Sequence, residues 1–224
     1  MNPRHVLTIV KKDLKVEFRG KETINFMFLF SFITLLMFNF ATEPFSPTLT
    51  DVAPGFLWFV FIFSGMLGLS RAFIKEKERG TLEGLRLSPV SNEEILYAKM
   101  VYNFILMLGI EVIAFPLFIV LFNYTIKGSV IDAIFVLTLG NVGFVIVGSF
   151  MSALVMSARS RELVLQIIVL PLLLPVIILT IIALRKVMIF AIPLLRIGEI
   201  KLVVSYVIIM AVLSSLLFEY VMEE

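Results

Sequence analysis

The chain has 224 residues, 60% of them hydrophobic and 16% charged, with a net charge of +2 and a mean hydropathy of +1.05. This composition excludes a soluble globular domain, and so small a net charge gives no indication of nucleic-acid binding. The sequence contains no cysteine, which excludes disulfides, thiolate metal sites and thiol catalysis.

The first 23 residues predict an amphipathic helix rather than a cleaved signal peptide. Lys and Arg side chains are interleaved with acidic ones, with no short apolar core and no small-residue cleavage site. Leu7, Val10, Leu14 and Phe18 recur three or four residues apart, which places them on one stripe of a helix. We expect residues 1–23 to lie on the cytoplasmic leaflet, where anchoring to anionic membrane lipid is sufficient to explain the pattern.

Apolar runs recur along the rest of the chain, and each is long enough to cross a bilayer. About 20 apolar residues span the hydrocarbon core of roughly 30 Å. The predicted fold is therefore all-α, a polytopic membrane protein forming one transmembrane domain over residues 1–224. The six predicted spans cover residues 24–41, 55–74, 100–123, 130–157, 163–184 and 202–221.

The distribution of Lys and Arg predicts the orientation. The N-terminal segment and residues 71–99 are rich in these side chains, whereas residues 42–54 contain none. Because cytoplasmic loops carry the excess of Lys and Arg, we expect both termini and residues 75–99 to lie in the cytoplasm. The protein would then be a multi-pass protein of the cell (inner or plasma) membrane.

The fifth loop breaks this pattern, because Arg185, Lys186, Arg196 and Lys201 would lie outside. Residues 187–197 are apolar and too short to span, with a proline near their middle. We expect a short external helical element within residues 185–201, and the alternative is a broken outer end of the fifth span.

The segment between the second and third spans is unusually long and charged. We call residues 75–89 the connector; they carry both signs of charge, together with Leu82, Leu85 and Leu87 at short helical spacing. Ser91 and Glu94 have the spacing of a capping box, which predicts that the third helix begins before the membrane. Such a surface segment, followed by a rigid helix, is suited to contact a soluble partner.

Within the spans, Glu111 is the acidic side chain that lies deepest. An ionised group there is costly, so it should face the interior, where it either lines a translocation path or is protonated or hydrogen-bonded to a neighbouring helix. Small residues four apart in the fourth span, such as Gly148 and Ser152, predict close helix packing. Trp58 is expected in the aromatic belt at the outer interface.

The sequence shows no phosphate-binding glycine loop, no serine–histidine constellation and no metal-ligand cluster. We therefore expect a non-enzymatic subunit without catalytic or metal-binding residues, and any ATP hydrolysis should occur on another chain.

The connector resembles the first cytoplasmic loop of type-2 ATP-binding cassette permeases. The similar stretch is Glu78-Arg-Gly-Thr-Leu-Glu-Gly-Leu-Arg-Leu-Ser-Pro89. Within that class the whole chain resembles the CcmB family, the haem-exporter (haem exporter protein B) permeases of cytochrome c maturation. The chain length, Ala53-Pro-Gly-Phe-Leu-Trp58 at the start of span two and Arg71-Ala-Phe73 before the connector carry this narrower resemblance.

The resemblance implies a CcmA-like ATPase, a permease homodimer and a CcmC-like haem-handling subunit as partners. It implies haem as a transported substrate rather than a directly bound cofactor, and this chain has no histidine in a span to ligate it. The residues it implies for ATPase coupling are Glu78, Gly80, Thr81, Leu82, Glu83, Leu85, Leu87 and Pro89.

Two other functions fit the same pattern. A type-2 exporter of a lipid, polysaccharide or drug would share the architecture, and a non-transporting membrane scaffold would share the spans. An ion-coupled carrier is a weaker alternative, because only Glu111 could bind the ion.

Overall fold

The computed structural model describes residues 2–42, 47–73, 80–81, 84, 87–156 and 160–223. These residues form seven α-helices and one 3-10 helix, with no β-strand among them. In chain order the α-helices are α1 (Pro3–Gly20), α2 (Glu22–Ala41), α3 (Pro47–Ala72), α4 (Asn92–Leu121), α5 (Val130–Leu154), α6 (Arg161–Met188) and α7 (Gly198–Glu223). Helices α2 to α7 are each long and apolar enough to cross a membrane, so the predicted all-α fold with six spans is confirmed.

Local sequence explains where several helices begin. The side chain of Asn2 accepts a hydrogen bond from the backbone N–H of Arg4 at 3.1 Å, and Pro3 occupies the first turn, where a missing N–H costs nothing. At the start of α5, Ser129 accepts from the backbone N–H of Asp132 at 3.2 Å. Each cap satisfies an amide that the helix itself leaves without a partner.

Helix α5 lies at the centre of the bundle, in contact with α3, α4, α6 and α7. Its small residues allow this: a Cβ on Gly140 would lie 2.3 Å from Cζ2 of Trp58, and one on Gly148 would lie 2.1 Å from Cδ1 of Leu69. The Ser152 hydroxyl donates to the Leu69 carbonyl at 2.8 Å. The predicted close packing of the fourth span is confirmed.

The position of Trp58 corrects a prediction. Its side chain is fully buried, so its expected place in an interfacial aromatic belt is wrong. The indole fills the space that Gly140 leaves open on α5 and meets Phe61 edge-on, with ring centroids 6.3 Å apart. Packing between helices decides the position of this side chain.

The segment after the fifth span contains less helix than expected. Helix α6 continues to Met188, and the only helical piece between it and α7 is the 3-10 turn Leu194–Arg196. A helix over all of residues 187–197 is therefore not formed, although the short 3-10 turn lies within the predicted range 185–201. Ala191 has a left-handed backbone with φ of 51°, and Pro193 lacks an N–H, so both interrupt a continuous helix.

The helices give the bundle two ends. At one end, α3 ends and α4 begins on either side of the connector; we call this the connector end. At the opposite end, the Asn39 side chain donates to the Leu121 carbonyl at 2.7 Å, and the backbone N–H of Lys127 donates to the Met188 carbonyl at 2.9 Å. The first contact joins the end of α2 to the end of α4, and the second joins the segment before α5 to the end of α6.

Candidate functional site

The described residues of the connector are mostly solvent-exposed. Gly80, Thr81, Gly84, Leu87 and Pro89 are all solvent-exposed, and Leu87 is 88% exposed. Gly80 has a φ of +66°, a left-handed conformation that glycine adopts without steric cost. The predicted coupling residues Glu78, Leu82, Glu83 and Leu85 lie outside the described residues, so their role stays a prediction.

The connector leads directly into a firmly capped helix. Glu94 accepts from the backbone N–H of Ser91 at 3.3 Å while the Ser91 hydroxyl accepts from the backbone N–H of Glu94 at 3.3 Å, which confirms the predicted capping box. The same carboxylate binds α1, because its Oε2 lies 3.0 Å from Nδ1 of His5 and its Oε1 accepts from the backbone N–H of Asn2. The first turn of α4 is therefore fixed to the N-terminus of the chain.

A partly buried ion pair joins α1 and α4 farther along. Nζ of Lys99 lies 2.8 Å from Oδ2 of Asp13, and the Lys99 side chain is only 2% exposed. The ammonium also lies 5.8 Å from the ring centroid of Phe73 at the end of α3. Asp13 has a second cation near it, with Nζ of Lys12 at 3.1 Å.

Glu17 forms a third polar contact between α1 and α4 and also stabilises the turn between α1 and α2. Its carboxylate accepts from the Tyr102 hydroxyl at 3.3 Å, from the Thr23 backbone and hydroxyl at 2.7 and 2.9 Å, and from the backbone N–H of Ile24 at 3.2 Å. Lys21, the residue between the two helices, has a left-handed backbone with φ of 55°. Glu17 thus supplies the N-terminal acceptors that α2 lacks from its own cap.

Glu111 lies deeper, at the interface of α4 and α5. Its carboxylate is buried and accepts from the Thr138 hydroxyl at 2.8 Å and from the side-chain amide of Asn141. No ion pair of Glu111 is present among the described residues. The carboxylate is therefore held by hydrogen bonds to a neighbouring helix, and its place on a translocation path stays a prediction.

A second polar pair of the same interface lies two turns nearer the connector end. The side-chain amide of Asn103 donates to the Ser149 hydroxyl at 2.9 Å. Oδ1 of Asn103 and Oδ1 of Asn141 are both buried without a hydrogen-bond partner. Polar groups thus follow α4 from its first turn to its middle.

At the opposite end, ion pairs account for two of the basic residues that break the orientation pattern. Arg185 lies 2.8 Å from Asp51, and Lys186 lies 2.7 Å from Glu199. Tyr124 is buried beside them, and burial, with a smaller contribution from Asp51, raises the pKa of its hydroxyl to about 12. Two of the four cations therefore have acidic partners, and the orientation of this loop stays a prediction.

The polar contacts between α1 and α4 were not predicted, although the sequence of α1 contains a signal for them. The buried apolar residues of α1 are Val6, Ile9 and Val10, whereas Leu7 and Phe18 of the predicted stripe are exposed. Asp13 and Glu17 continue the buried stripe at the next helical spacings. Acidic residues in line with an apolar face indicate partners on another helix.

Among the described residues, no group of three His, Asp or Glu side chains is arranged to hold a metal ion. The polar groups along α4 instead pair with one another across helices.

Comparison with known proteins gives a consistent family. The family model described as "CcmB protein" matches residues 4–220 of this chain. Heme exporter protein B of Rhodobacter capsulatus is 26% identical over 170 residues, which are 76% of this chain and 78% of the relative. Heme exporter protein B of Paracoccus denitrificans is 28% identical over 169 residues, 75% of this chain and 76% of the relative. The protein of that name from Escherichia coli K12 is 30% identical over 92 residues, 41% of this chain and 42% of the relative.

Proposed function

Because this chain belongs to the CcmB protein family, we propose that it is the permease subunit of an ATP-binding cassette transporter that exports or handles haem during cytochrome c maturation. The relatives carry the name heme exporter protein B. In this proposal the chain is not itself an enzyme, and a separate CcmA-like ATPase hydrolyses ATP. A CcmC-like subunit handles haem beside it.

The single observation that carries the proposed mechanism is the exposed connector joined to a capped helix. Leu87, a large apolar side chain, is 88% exposed in a turn that lies outside the apolar spans. Burial of this side chain in a partner's groove would contribute transfer free energy to docking. The groove of the ATPase subunit is the partner surface that we propose for it.

The capped start of α4 then explains how a docked ATPase could act on the membrane part. Pro89 ends the connector, and the capping box of Ser91 and Glu94 begins α4. Movement of the connector is therefore delivered to one end of a 30-residue helix. That helix carries the polar contacts described above into the middle of the bundle.

We also propose that two copies of this chain assemble. Helices α2 and α7 are the least buried of the six spans, so they offer the largest apolar faces to lipid or to a second copy. In this arrangement the protein lies in the inner or plasma membrane, with both termini and the connector on the cytoplasmic side.

The test is retention of the ATPase by connector variants. We expect Leu87→Ala, and Leu82→Ala combined with Leu85→Ala, to weaken ATPase binding by about tenfold to a hundredfold, because a buried apolar anchor contributes about 1–3 kcal/mol. The measurement is co-purification of the CcmA-like ATPase with the full chain in detergent, together with cytochrome c formation in cells. Glu83→Gln, a change at the rim of the proposed interface, should have a much smaller effect.

Leu195→Ala is the matched control, because Leu195 is 96% exposed at the opposite end of the bundle. It should leave ATPase retention unchanged. Wild-type retention by all the connector variants would contradict the proposed docking surface.

A further inference from the structure

Helix α1 contacts α4 at three successive polar points rather than through apolar packing alone. His5 meets Glu94, Asp13 meets Lys99, and Glu17 meets Tyr102. The contacts extend over 12 residues of α1, about 18 Å at 1.5 Å per residue. Both helices advance in the same direction through this series, so α1 lies along the connector end of α4.

These contacts resist sliding of α1 along α4. Lys99 is 2% exposed and Glu17 is buried, so sliding or separating the helices would break polar contacts inside an apolar interface. Val6, Ile9 and Val10 are buried on the same face of α1. Charge and packing therefore specify one register of the two helices.

The far end of α1 is joined to α2 with equal constraint. Only Lys21 separates the two helices, and the Glu17 carboxylate accepts hydrogen bonds from Thr23 and Ile24 in the first turn of α2. The Glu17 side chain of α1 therefore contacts both α2 and α4 at the point where α1 and α2 meet. Beyond this point, α2 packs against α3 and α4 and remains one of the least buried spans.

We propose that α1 is a rigid arm that makes α2 move together with the connector end of α4. Asp13, Glu17 and Lys99 are positioning residues in this mechanism, and Lys99, at 2% exposure, is the one tested below. The inference rests on the proposed function, in that an ATPase acts on the connector. In this mechanism the movement passes from the connector through α4 and α1 to α2.

The test reads movement of α2 directly. Phe40 is 85% exposed near the end of α2 remote from α1, and the sequence contains no cysteine, so Phe40→Cys accepts a single environment-sensitive fluorophore. The full chain in complex with its ATPase is reconstituted in lipid nanodiscs, and ATP is added. We expect a change in emission in the otherwise wild-type complex.

In Lys99→Met, we expect ATP hydrolysis to continue while the emission change falls about tenfold, within the usual range of coupling between sites. Methionine keeps the length of the side chain, and Asp13 retains Lys12 at 3.1 Å, so neither a large cavity nor an isolated carboxylate results. The swap Asp13→Lys with Lys99→Asp should restore most of the response.

Asp51→Asn is the matched control, because it breaks the ion pair with Arg185 at the opposite end of the bundle and should leave the response unchanged. A full response in Lys99→Met, or no response in the wild-type complex while it hydrolyses ATP, would overturn the role of α1. A wild-type chain that retains no ATPase would instead overturn the proposed function, so the two failures are distinguishable.

Discussion

Glu111 shows how a single polar residue is accommodated in the middle of the bundle. Two donors on α5, the Thr138 hydroxyl and the Asn141 amide, converge on its carboxylate. Asn141 retains an unpartnered carbonyl oxygen, which could serve as an acceptor if the amide rotated. The Asn141 oxygen is therefore available as an additional acceptor, so a substitution of Glu111 that introduces a donor should be tolerated.

Glu111→Gln should insert and remain close to wild-type stability, because glutamine can accept from Thr138 and donate to the spare oxygen of Asn141. Glu111→Leu should lower the free energy of unfolding by about 1–3 kcal/mol, since it removes the acceptor of both donors and leaves the buried Asn141 amide without one. Thermal unfolding in detergent measures both effects. If Glu111 lines a translocation path, Glu111→Gln should also reduce cytochrome c formation while stability is kept.

Asn103→Leu provides the comparison for this experiment, because Asn103 pairs with Ser149 in the same interface without any charge. We expect a smaller loss of stability there, below about 1 kcal/mol, as is usual for a single hydrogen bond inside a membrane bundle. A Glu111→Leu variant with unchanged stability and unchanged cytochrome c formation would contradict both roles of the carboxylate.

The raised pKa of Tyr124 predicts that the stability of the protein falls at high pH. Burial first, and Asp51 second, raise the pKa of its hydroxyl from 10.0 to about 12. A pKa that is raised on folding contributes stability that is fully present below about pH 10 and is lost as the pH rises toward 12. Thermal unfolding across that interval should therefore show a loss of up to about 2–3 kcal/mol, and Tyr124→Phe should remove this part of the loss. An unchanged pH profile in Tyr124→Phe would contradict this prediction.

At the scale of elements, α5 organises the bundle because its small residues admit large side chains from its neighbours. Gly140 and Gly148 accept Trp58 and Leu69 from α3, and Gly143 lies against Val176 of α6. In a bilayer, where apolar burial does not distinguish protein from lipid, close packing of this kind is a principal source of helix association.

Gly140→Ala should therefore destabilise the protein by about 1–3 kcal/mol, because the new methyl group would overlap a fully buried indole that has nowhere to move. Gly109→Ala is the control: a Cβ there has no atom within 4 Å, and alanine is the better helix former. The measurement is the melting temperature of each variant in the same detergent. Equal melting temperatures would mean that α3 and α5 are packed less closely than the structure indicates.

At the scale of the whole molecule, the two ends of the bundle differ in what they present. The connector end presents the exposed Leu87 and the contacts of α1 with α4. The opposite end presents Leu195 and two inter-segment ion pairs, Asp51 with Arg185 and Lys186 with Glu199. A membrane placed across the six spans separates these two sets of features.

We predict that Leu87→Cys and Leu195→Cys report opposite sides of the membrane. In intact cells a membrane-impermeant maleimide should label Leu195→Cys, which is 96% exposed, and should label Leu87→Cys only after permeabilisation. The physical reason is the excess of Lys and Arg at the connector end and N-terminus. Labelling of both positions from outside would contradict the proposed cytoplasmic location of the connector.

The sequence by itself determined the features that depend on one segment at a time. A helix that crosses about 30 Å of hydrocarbon must form the hydrogen bonds of its backbone within itself. The length and composition of the apolar runs were therefore enough to predict six spans. The capping box of Ser91 and Glu94 was predictable because its partners are three residues apart.

Only the tertiary structure decided which faces meet. The burial of Trp58 depends on Gly140, a residue 82 positions away, and the partner of Lys99 lies 86 positions away on α1. A span of uniformly apolar residues does not show from its own pattern which side faces a neighbour, because lipid and protein interior are equally apolar. Rotation of each helix, and with it the pairing of Asp13 with Lys99, is therefore settled by where small and large side chains fit together in the assembled bundle.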